Sequence, residues 1–175
     1  MDAITINFIL TGIILVLLVF LSFIWPPDSP WSPWWKTDKR ASQAIIDLAK
    51  IKNSDIVYEL GSGDGEFALY TARITGANVV GIEIDPIRFY ISKIRSYFSP
   101  SRKKIKFIKE DFKKIDISET TVLYFYLVPA AIKRIMPKLK KELKPGTKAV
   151  SYRYKVEGLK LIGENKEHKL YLYKF

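Results

Sequence analysis

The stretch Ile56 to Ala72 constrains this chain more than any other. Ile56-Val57-Tyr58-Glu59-Leu60 is mostly apolar and rich in β-branched and aromatic types, which favours a buried strand. Gly61, Gly63 and Gly65 follow at every second position, and Glu66-Phe67-Ala68-Leu69-Tyr70-Thr71-Ala72 returns to a helix-forming composition. A strand that feeds a helix through glycines is how α/β proteins hold an adenosine-bearing ligand against their backbone. Lacking Cβ atoms, such a loop turns tightly and admits the ligand closely.

The spacing narrows the ligand. A dinucleotide fingerprint requires glycines at 61, 63 and 66, and position 66 is Glu. The pattern here is acid-x-G-x-G-x-G, with Glu59 two residues before Gly61. A carboxylate at that place attracts a sulfonium or an ammonium and repels a pyrophosphate. From the loop alone, another nucleotide binder and a purely structural turn stay open. Glu83 ends a second apolar run, Val79 to Ile84, and lies 22 residues beyond Gly61. An acid at about that distance accepts hydrogen bonds from ribose hydroxyls and disfavours a 2′-phosphate.

The rest of the chain reads as alternating strands and helices. Lys39 to Lys50 is helical, with Ala41, Ala44, Ile45, Leu48 and Ala49 on one side. Asp85 caps a helix that starts at Pro86 and runs to Phe98. Strands are expected at Ile105 to Ile108, Thr121 to Val128, Thr147 to Tyr154, Leu159 to Gly163 and Lys169 to Lys174, with a polar turn at Glu164 to Glu167. A helix from Ala130 to Leu143 should be kinked or divided at Pro137. These elements predict a mostly parallel sheet with an antiparallel end.

Ala3 to Trp25 carries no charge, enough for the about 20 apolar residues that cross a bilayer. No basic n-region precedes it, so an uncleaved membrane anchor through residues 4–25 is expected rather than a signal peptide. Lys36, Lys39 and Arg40 follow the span and no Lys or Arg precedes it, which predicts an outside N-terminus and a single-pass protein with its domain on the cytoplasmic face. The expected division is an anchor at 1–25, a Pro/Trp-rich juxtamembrane linker at 26–36 and a domain at 37–175. Trp25, Trp31, Trp34 and Trp35 suit the headgroup level.

Composition closes several routes. The chain has no cysteine and one histidine, His168, which removes disulfides, thiolate metal sites, cysteine nucleophiles and a Ser-His-Asp triad, and no metal is expected. Lys+Arg is 29 against 18 Asp+Glu, a net charge of +11. Runs such as Arg102-Lys103-Lys104 fit anionic lipid or a solvated face, and no nucleic-acid-binding motif accompanies them.

The acid-x-G-x-G-x-G loop resembles motif I of class I S-adenosylmethionine-dependent methyltransferases. Together with Gly81-Ile82-Glu83-Ile84, Asp116 to Val122 and Pro137 to Thr147, it is similar to a family of small protein-lysine methyltransferases. That family has a soluble archaeal member and mitochondrial members with one N-terminal membrane helix, which modify the adenine nucleotide translocase and the c-subunit of the ATP synthase. The resemblance covers about residues 33 to 175.

It implies a Rossmann-like seven-strand methyltransferase sheet with antiparallel last strands, here preceded by one N-terminal transmembrane helix, and S-adenosyl-L-methionine as cofactor. It implies a cofactor site of Glu59, Gly61, Ser62, Gly63, Gly65, Glu83 and Ile84, with Asp111 at the adenine amino group and Phe112 against the ring. The family's Pro-Tyr-Val-Pro-Thr segment matches Pro33-Trp34-Trp35-Lys36-Thr37, so Trp34 and Thr37 are implied on the substrate side. In this fold the end of strand four faces the reacting methyl. Here it reads Tyr124-Phe125-Tyr126-Leu127-Val128-Pro129, without the Asn/Asp-Pro-Pro-Tyr/Phe signature of enzymes acting on amide or nucleobase nitrogens. Tyr126, then Tyr124, are the candidates for a lysine channel, and no general base is assigned. The expected reaction is methylation of a lysine on a membrane or membrane-adjacent protein. The alternatives are a lipid amine or quinone-type substrate and a non-enzymatic, cofactor-binding scaffold.

Overall fold

Apolar runs bounded by turns alternate with amphipathic stretches from Lys39 onward, and the chain folds as that alternation dictates. In the computed structural model, which describes residues 2–24 and 35–175, the helices are α1 (Ala3–Ile24), α2 (Lys39–Ala49), α3 (Glu66–Thr75), α4 (Pro86–Tyr97) and α5 (Pro129–Glu142). The strands are β1 (Ile56–Leu60), β2 (Asn78–Glu83), β3 (Ile105–Lys109), β4 (Val122–Phe125), β5 (Lys148–Tyr152), β6 (Leu161–Asn165) and β7 (Leu170–Lys174). The chain divides into two units, Met1–Pro30 and Trp31–Phe175.

The first unit holds α1, whose window Ala3–Leu21 has a mean hydropathy of 2.8 and lies wholly outside any protein core. Its 22 residues rise about 33 Å at 1.5 Å each, the thickness of a bilayer's hydrocarbon layer. Trp25, Trp31, Trp34 and the linker prolines lie outside the described residues.

The second unit is one seven-stranded sheet in the order β3-β2-β1-β4-β5-β7-β6. The first five strands in that order run parallel, and β7 and β6 close the sheet antiparallel. The strand order reverses between β1 and β4, and such a switch point opens a crevice at the carboxyl ends of the strands. One face of the sheet packs Val57, Val79, Val122, Tyr124 and Val150 against α2 and α3. The other packs Tyr58, Leu60, Leu123, Phe125 and Ala149 against α5, with Ile117 and Val156 from loops. No helix separates β5 from β6.

Local chemistry explains most boundaries. Asp38 Oδ1 accepts from the Ala41 N–H at 2.8 Å and starts α2. Its buried stripe is Ala41, Ser42, Ile45, Ile46 and Ala49, rotated from the expected one so that Ser42 and Ile46 are buried and Ala44 and Leu48 lie at its margin. Asp85 caps α4 through the Arg88 N–H, with Pro86 in the first turn. Three expectations are corrected. Of the kink or division expected at Pro137, the division is overturned: Pro137 lies inside one continuous helix, at an exposed position one turn after exposed Lys133, whose carbonyl it leaves to water. Strand β4 stops at Phe125, so Tyr126 to Val128 leave the ladder at the mouth of the crevice. Strand β6 runs on through Glu164 and Asn165, and the turn falls after Asn165, where the Asn165 side chain accepts from the His168 N–H.

Candidate active site

The glycine loop is docked onto the end of β2. Gly61 N–H and Ser62 N–H both donate to the Ile82 carbonyl at 2.9 Å, and Gly63 N–H donates to Glu83 Oε2 at 2.7 Å. The three glycines take φ of +77°, +55° and +78°, so the loop needs left-handed backbone at each of these three positions. Two of its neighbours explain themselves by packing. A Cβ on Gly65 would meet the Phe107 ring at 2.5 Å, and one on Gly81 would meet it at 2.6 Å. Gly61 differs. A Cβ there would meet only Leu127, at 3.9 Å, so the space above it is open on the protein's own account. That open floor fits a ligand brought against the backbone.

The floor is acidic. Glu59 is 4 % exposed, and its Oε2 has no hydrogen-bond partner. Burial raises its pKa well above the carboxylate range, Glu83 adds to the rise, and the Ala68 N–H opposes it. Glu83 is also raised, chiefly by burial, against the opposing N–H donors of Asp85 (2.9 Å) and Gly63. Ser62 Oγ and Asp85 Oδ2 are further buried atoms without partners. Two buried acids and several unmet acceptors around an open loop fit a polar, cationic ligand. Asp64 does not belong to this set, since Lys36 Nζ at 2.7 Å and Arg95 at 3.0 Å already neutralise it. Glu66, which broke the dinucleotide pattern, also pairs with Arg95.

Ile84 stands at the rim, 45 % exposed, as an apolar surface beyond Glu83. Asp111 Oδ1 accepts from the Lys113 N–H at 2.9 Å, and its Oδ2 lies 3.1 Å from Lys113 Nζ. Phe112 is half-buried against the α5 side of the core. Glu83 and Lys109 are register partners, which brings the start of the Glu110-Asp111-Phe112 loop beside the end of β2.

A strap of consecutive residues before α2 lies across the other half of the crevice. Trp35 stacks on Tyr126 with 5.4 Å between ring centroids, Lys36 reaches Asp64, and Thr37 Oγ1 shares a 2.6 Å hydrogen bond with Tyr124 OH. Tyr124 is fully buried against Phe67, at 4.2 Å, and stands opposite Glu59 in the β1–β4 register. Burial and the Glu59 carboxyl push its pKa well up. Tyr124 and Thr37 therefore meet each other beneath the strap, and Tyr126 occupies the mouth. Tyr126 stacks on Tyr152 at 4.5 Å, its hydroxyl is buried without a partner, and burial pushes its pKa up to about 12. It is a neutral phenol at physiological pH.

Three residues here were not singled out from the sequence: Trp35 as the ring on Tyr126, Tyr152 and Arg153. The Arg153 guanidinium lies 5.4 Å from the Trp35 ring, 5.6 Å from Tyr126 and 5.8 Å from Tyr152. Register was the available signal. Phe125 pairs with Ser151, so the next residues of both strands, Tyr126 and Tyr152, come side by side. Trp34, the expected aromatic of the segment, lies outside the described residues.

Known proteins are similar to this chain in sequence and fold. The ANTKMT methyltransferase domain matches residues 59–162. A protein-lysine N-methyltransferase of Saccharolobus islandicus (strain REY15A) is 34 % identical over 153 residues, which is 82 % of this chain and 94 % of that protein. A lysine N-methyltransferase of Homo sapiens, named for the c-subunit of the ATP synthase, is 23 % identical over 122 residues, 70 % of this chain, which spans about half (52 %) of that relative. A crystal structure of an RNA methyltransferase from Salinibacter ruber with S-adenosyl-L-homocysteine superposes with a TM-score of 0.76 at 30 % identity, covering 81 % of this chain and 92 % of that one. This chain belongs to the ANTKMT methyltransferase domain family and is an S-adenosylmethionine-dependent methyltransferase.

Proposed function

We propose that this protein is a protein-lysine N-methyltransferase that works at a membrane surface. The observation that carries the substrate class is the box of Trp35, Tyr126 and Tyr152 beside the open loop, already holding the guanidinium of Arg153. Aromatic faces stabilise an ammonium or guanidinium group, so the box suits a long cationic side chain.

On this reading Glu59 faces the ammonium end of the cofactor, while Gly61, Ser62, Gly63 and Gly65 form the floor. Glu83 accepts from the ribose, using the lone pairs its two backbone donors leave free. Ile84 and Phe112 flank the adenine, and Asp111 accepts from its amino group. When bound, S-adenosylmethionine supplies an electrophilic methyl carbon. Tyr126 and Tyr152 line the approach of the lysine, and Trp35 closes it against water. Thr37 and Tyr124 hold the strap in place. Desolvation between these rings disfavours the charged ammonium and frees the amine lone pair. The nearby Arg153 charge acts in the same direction. Positioning then supplies most of the rate, and no side chain has to take the proton in the transfer itself.

The membrane half of the reading rests on α1, a 22-residue uncharged helix, and on Lys36, Lys39 and Arg40 beyond it. It makes residues 1–25 an anchor, 26–36 a linker whose last two residues also serve the strap, and 37–175 the methyltransferase domain on the cytoplasmic side. The identity of the Saccharolobus relative supports a lysine substrate, and the membrane location selects a substrate in or beside the bilayer.

The test is transfer of tritiated methyl groups from S-adenosylmethionine to membranes of a strain lacking the protein, followed by acid hydrolysis. Label in methyl-lysine is the expected result. Label in the lipid extract would assign the small-molecule substrate, label in RNA would assign the chemistry named for the Salinibacter enzyme, and cofactor binding without label in any fraction would assign a scaffold.

A further inference from the structure

Helix α4 wears its apolar face outward. Its buried residue is Ser92, and Phe89 is the aromatic that packs inward. Tyr90, Ile91, Ile94, Tyr97 and Phe98 are instead 42 to 79 % exposed. At 100° per residue these five fall within an arc of about 120°. A helix of a soluble domain turns such a stripe to the core, and a contiguous exposed patch of this kind marks an interaction surface.

The segment that carries the stripe is cationic. Residues 86–109 contain eight Lys or Arg and no Asp or Glu. Lys93 flanks the stripe on α4 itself, Lys109 Nζ lies 5.8 Å over the Tyr90 ring, and the single turn Arg102–Lys104 follows the helix directly. Lys103, Lys104, Lys106 and Lys109 are exposed. Of the eight, Arg95 is engaged with Asp64 and Glu66, and Arg88 acts on the Glu83 carboxyl, which leaves Lys93, Arg102, Lys103, Lys104, Lys106 and Lys109 as the basic rim of the stripe.

We infer that α4 is the face by which the catalytic domain lies on an anionic bilayer. An interfacial helix needs an apolar stripe that enters the headgroup–acyl boundary and basic residues that meet anionic headgroups, and α4 with its flanking turn presents both. Tyrosines at the ends of the stripe suit the interface. Ile91 and Ile94 at its centre provide aliphatic surface, which inserts among acyl chains but offers no plane for stacking a base. The inference rests on the reading of α1 as an anchor. Residues 25–34 separate Ile24 from Trp35 in the sequence, and ten residues span at most about 40 Å. The surface also differs from the crevice: it is the outer face of a helix, and its five apolar residues are exposed rather than packed into the core.

The cysteine-free chain makes the test clean, because one introduced cysteine is unique. Full-length protein carrying Tyr97→Cys with a polarity-sensitive fluorophore is reconstituted in phosphatidylcholine vesicles with and without phosphatidylglycerol. A second labelled form carries Glu119→Cys, at an exposed loop position. The expected result is blue-shifted emission and protection from aqueous quencher at position 97 in the anionic vesicles only. High salt should reverse both, and neither should occur at 119. Ile94→Glu should abolish the shift without changing the melting temperature, since this side chain is mostly in solvent. Equal emission at 97 and 119 in both lipids overturns the inference. A shift that grows with the protein-to-lipid ratio, or one that needs added RNA, assigns the face to a second copy or to nucleic acid and overturns it too. Resistance of the chain to alkaline carbonate extraction reports the anchor separately, so an anchored chain with a solvated position 97 refutes the docking face alone.

Discussion

On the proposed reading, Glu59 is a buried carboxyl arranged for a ligand rather than for the fold. Its pKa in the folded chain is raised from 4.5, so the folded state holds the proton more tightly than the unfolded one. The sign follows: stability present below pH 4.5 is lost as pH rises toward the folded pKa, and at neutral pH the ligand-free protein carries that loss. Glu59→Gln should therefore raise the melting temperature of the ligand-free protein at pH 8 while leaving it nearly unchanged at pH 4. The same substitution should weaken cofactor affinity about tenfold to a hundredfold, the worth of a hydrogen bond to a charged group, as read by calorimetry. A melting temperature at pH 8 that drops would contradict this account. Tyr126 makes the complementary case. Its hydroxyl has no partner and its ring has two, Trp35 and Tyr152. Tyr126→Phe should keep kcat/KM for a lysine peptide within about threefold, whereas Tyr126→Ala should raise KM about tenfold by removing stacking worth about 0.5–1.5 kcal/mol per pair. Equal losses in both variants would shift the role from the ring to the hydroxyl.

At the level of elements, the strand–loop–helix of β1 and α3 separates two duties that the glycines share in the sequence. Gly65 serves packing, because Phe107 and Ser92 crowd its Cβ position, while Gly61 serves access. Gly65→Ala should lower stability by about 3 kcal/mol, from strain at positive φ plus overpacking. Gly61→Ala should cost about 1 kcal/mol from its φ alone and still lose cofactor binding. Denaturant unfolding and calorimetry on the two variants check the contrast, and equal stability losses would refute it. Most of the elements were legible because period and punctuation agree: the Asp85-Pro86 cap, the apolar run of β1 and the turn at Pro145-Gly146 each carry a local signal. What was not legible depends on partners far along the chain. Pro137 is tolerated by its solvent-facing placement, β4 ends where β1 ends, and Tyr152 joins the site through the β4–β5 register. The outward stripe of α4 was hidden for the same reason, since periodicity reports that a helix has an apolar face and not which way it turns.

For the molecule as a whole, the sheet order and the cofactor crevice follow from the switch between β1 and β4. The sequence pattern reached only a mostly parallel sheet with an antiparallel end, and the seven-strand methyltransferase sheet came with the family resemblance. The aromatic box required the assembled fold, because it joins a segment before α2 to the ends of two strands. The strap formed by Trp35, Lys36 and Thr37 has one more consequence, for the order of events in time. It touches the aromatic box through Tyr126 and the glycine loop through Asp64. On the proposed reading, lifting it to exchange a spent cofactor would also unmake the wall that retains the target side chain. Each turnover should then end with the substrate released, and multiple methylation should be distributive. A mass-spectrometric time course with excess substrate should show the monomethyl form accumulating across the population before higher forms rise. Higher forms that appear while most substrate is still unmodified would mean that the strap can open at one end and stay shut at the other.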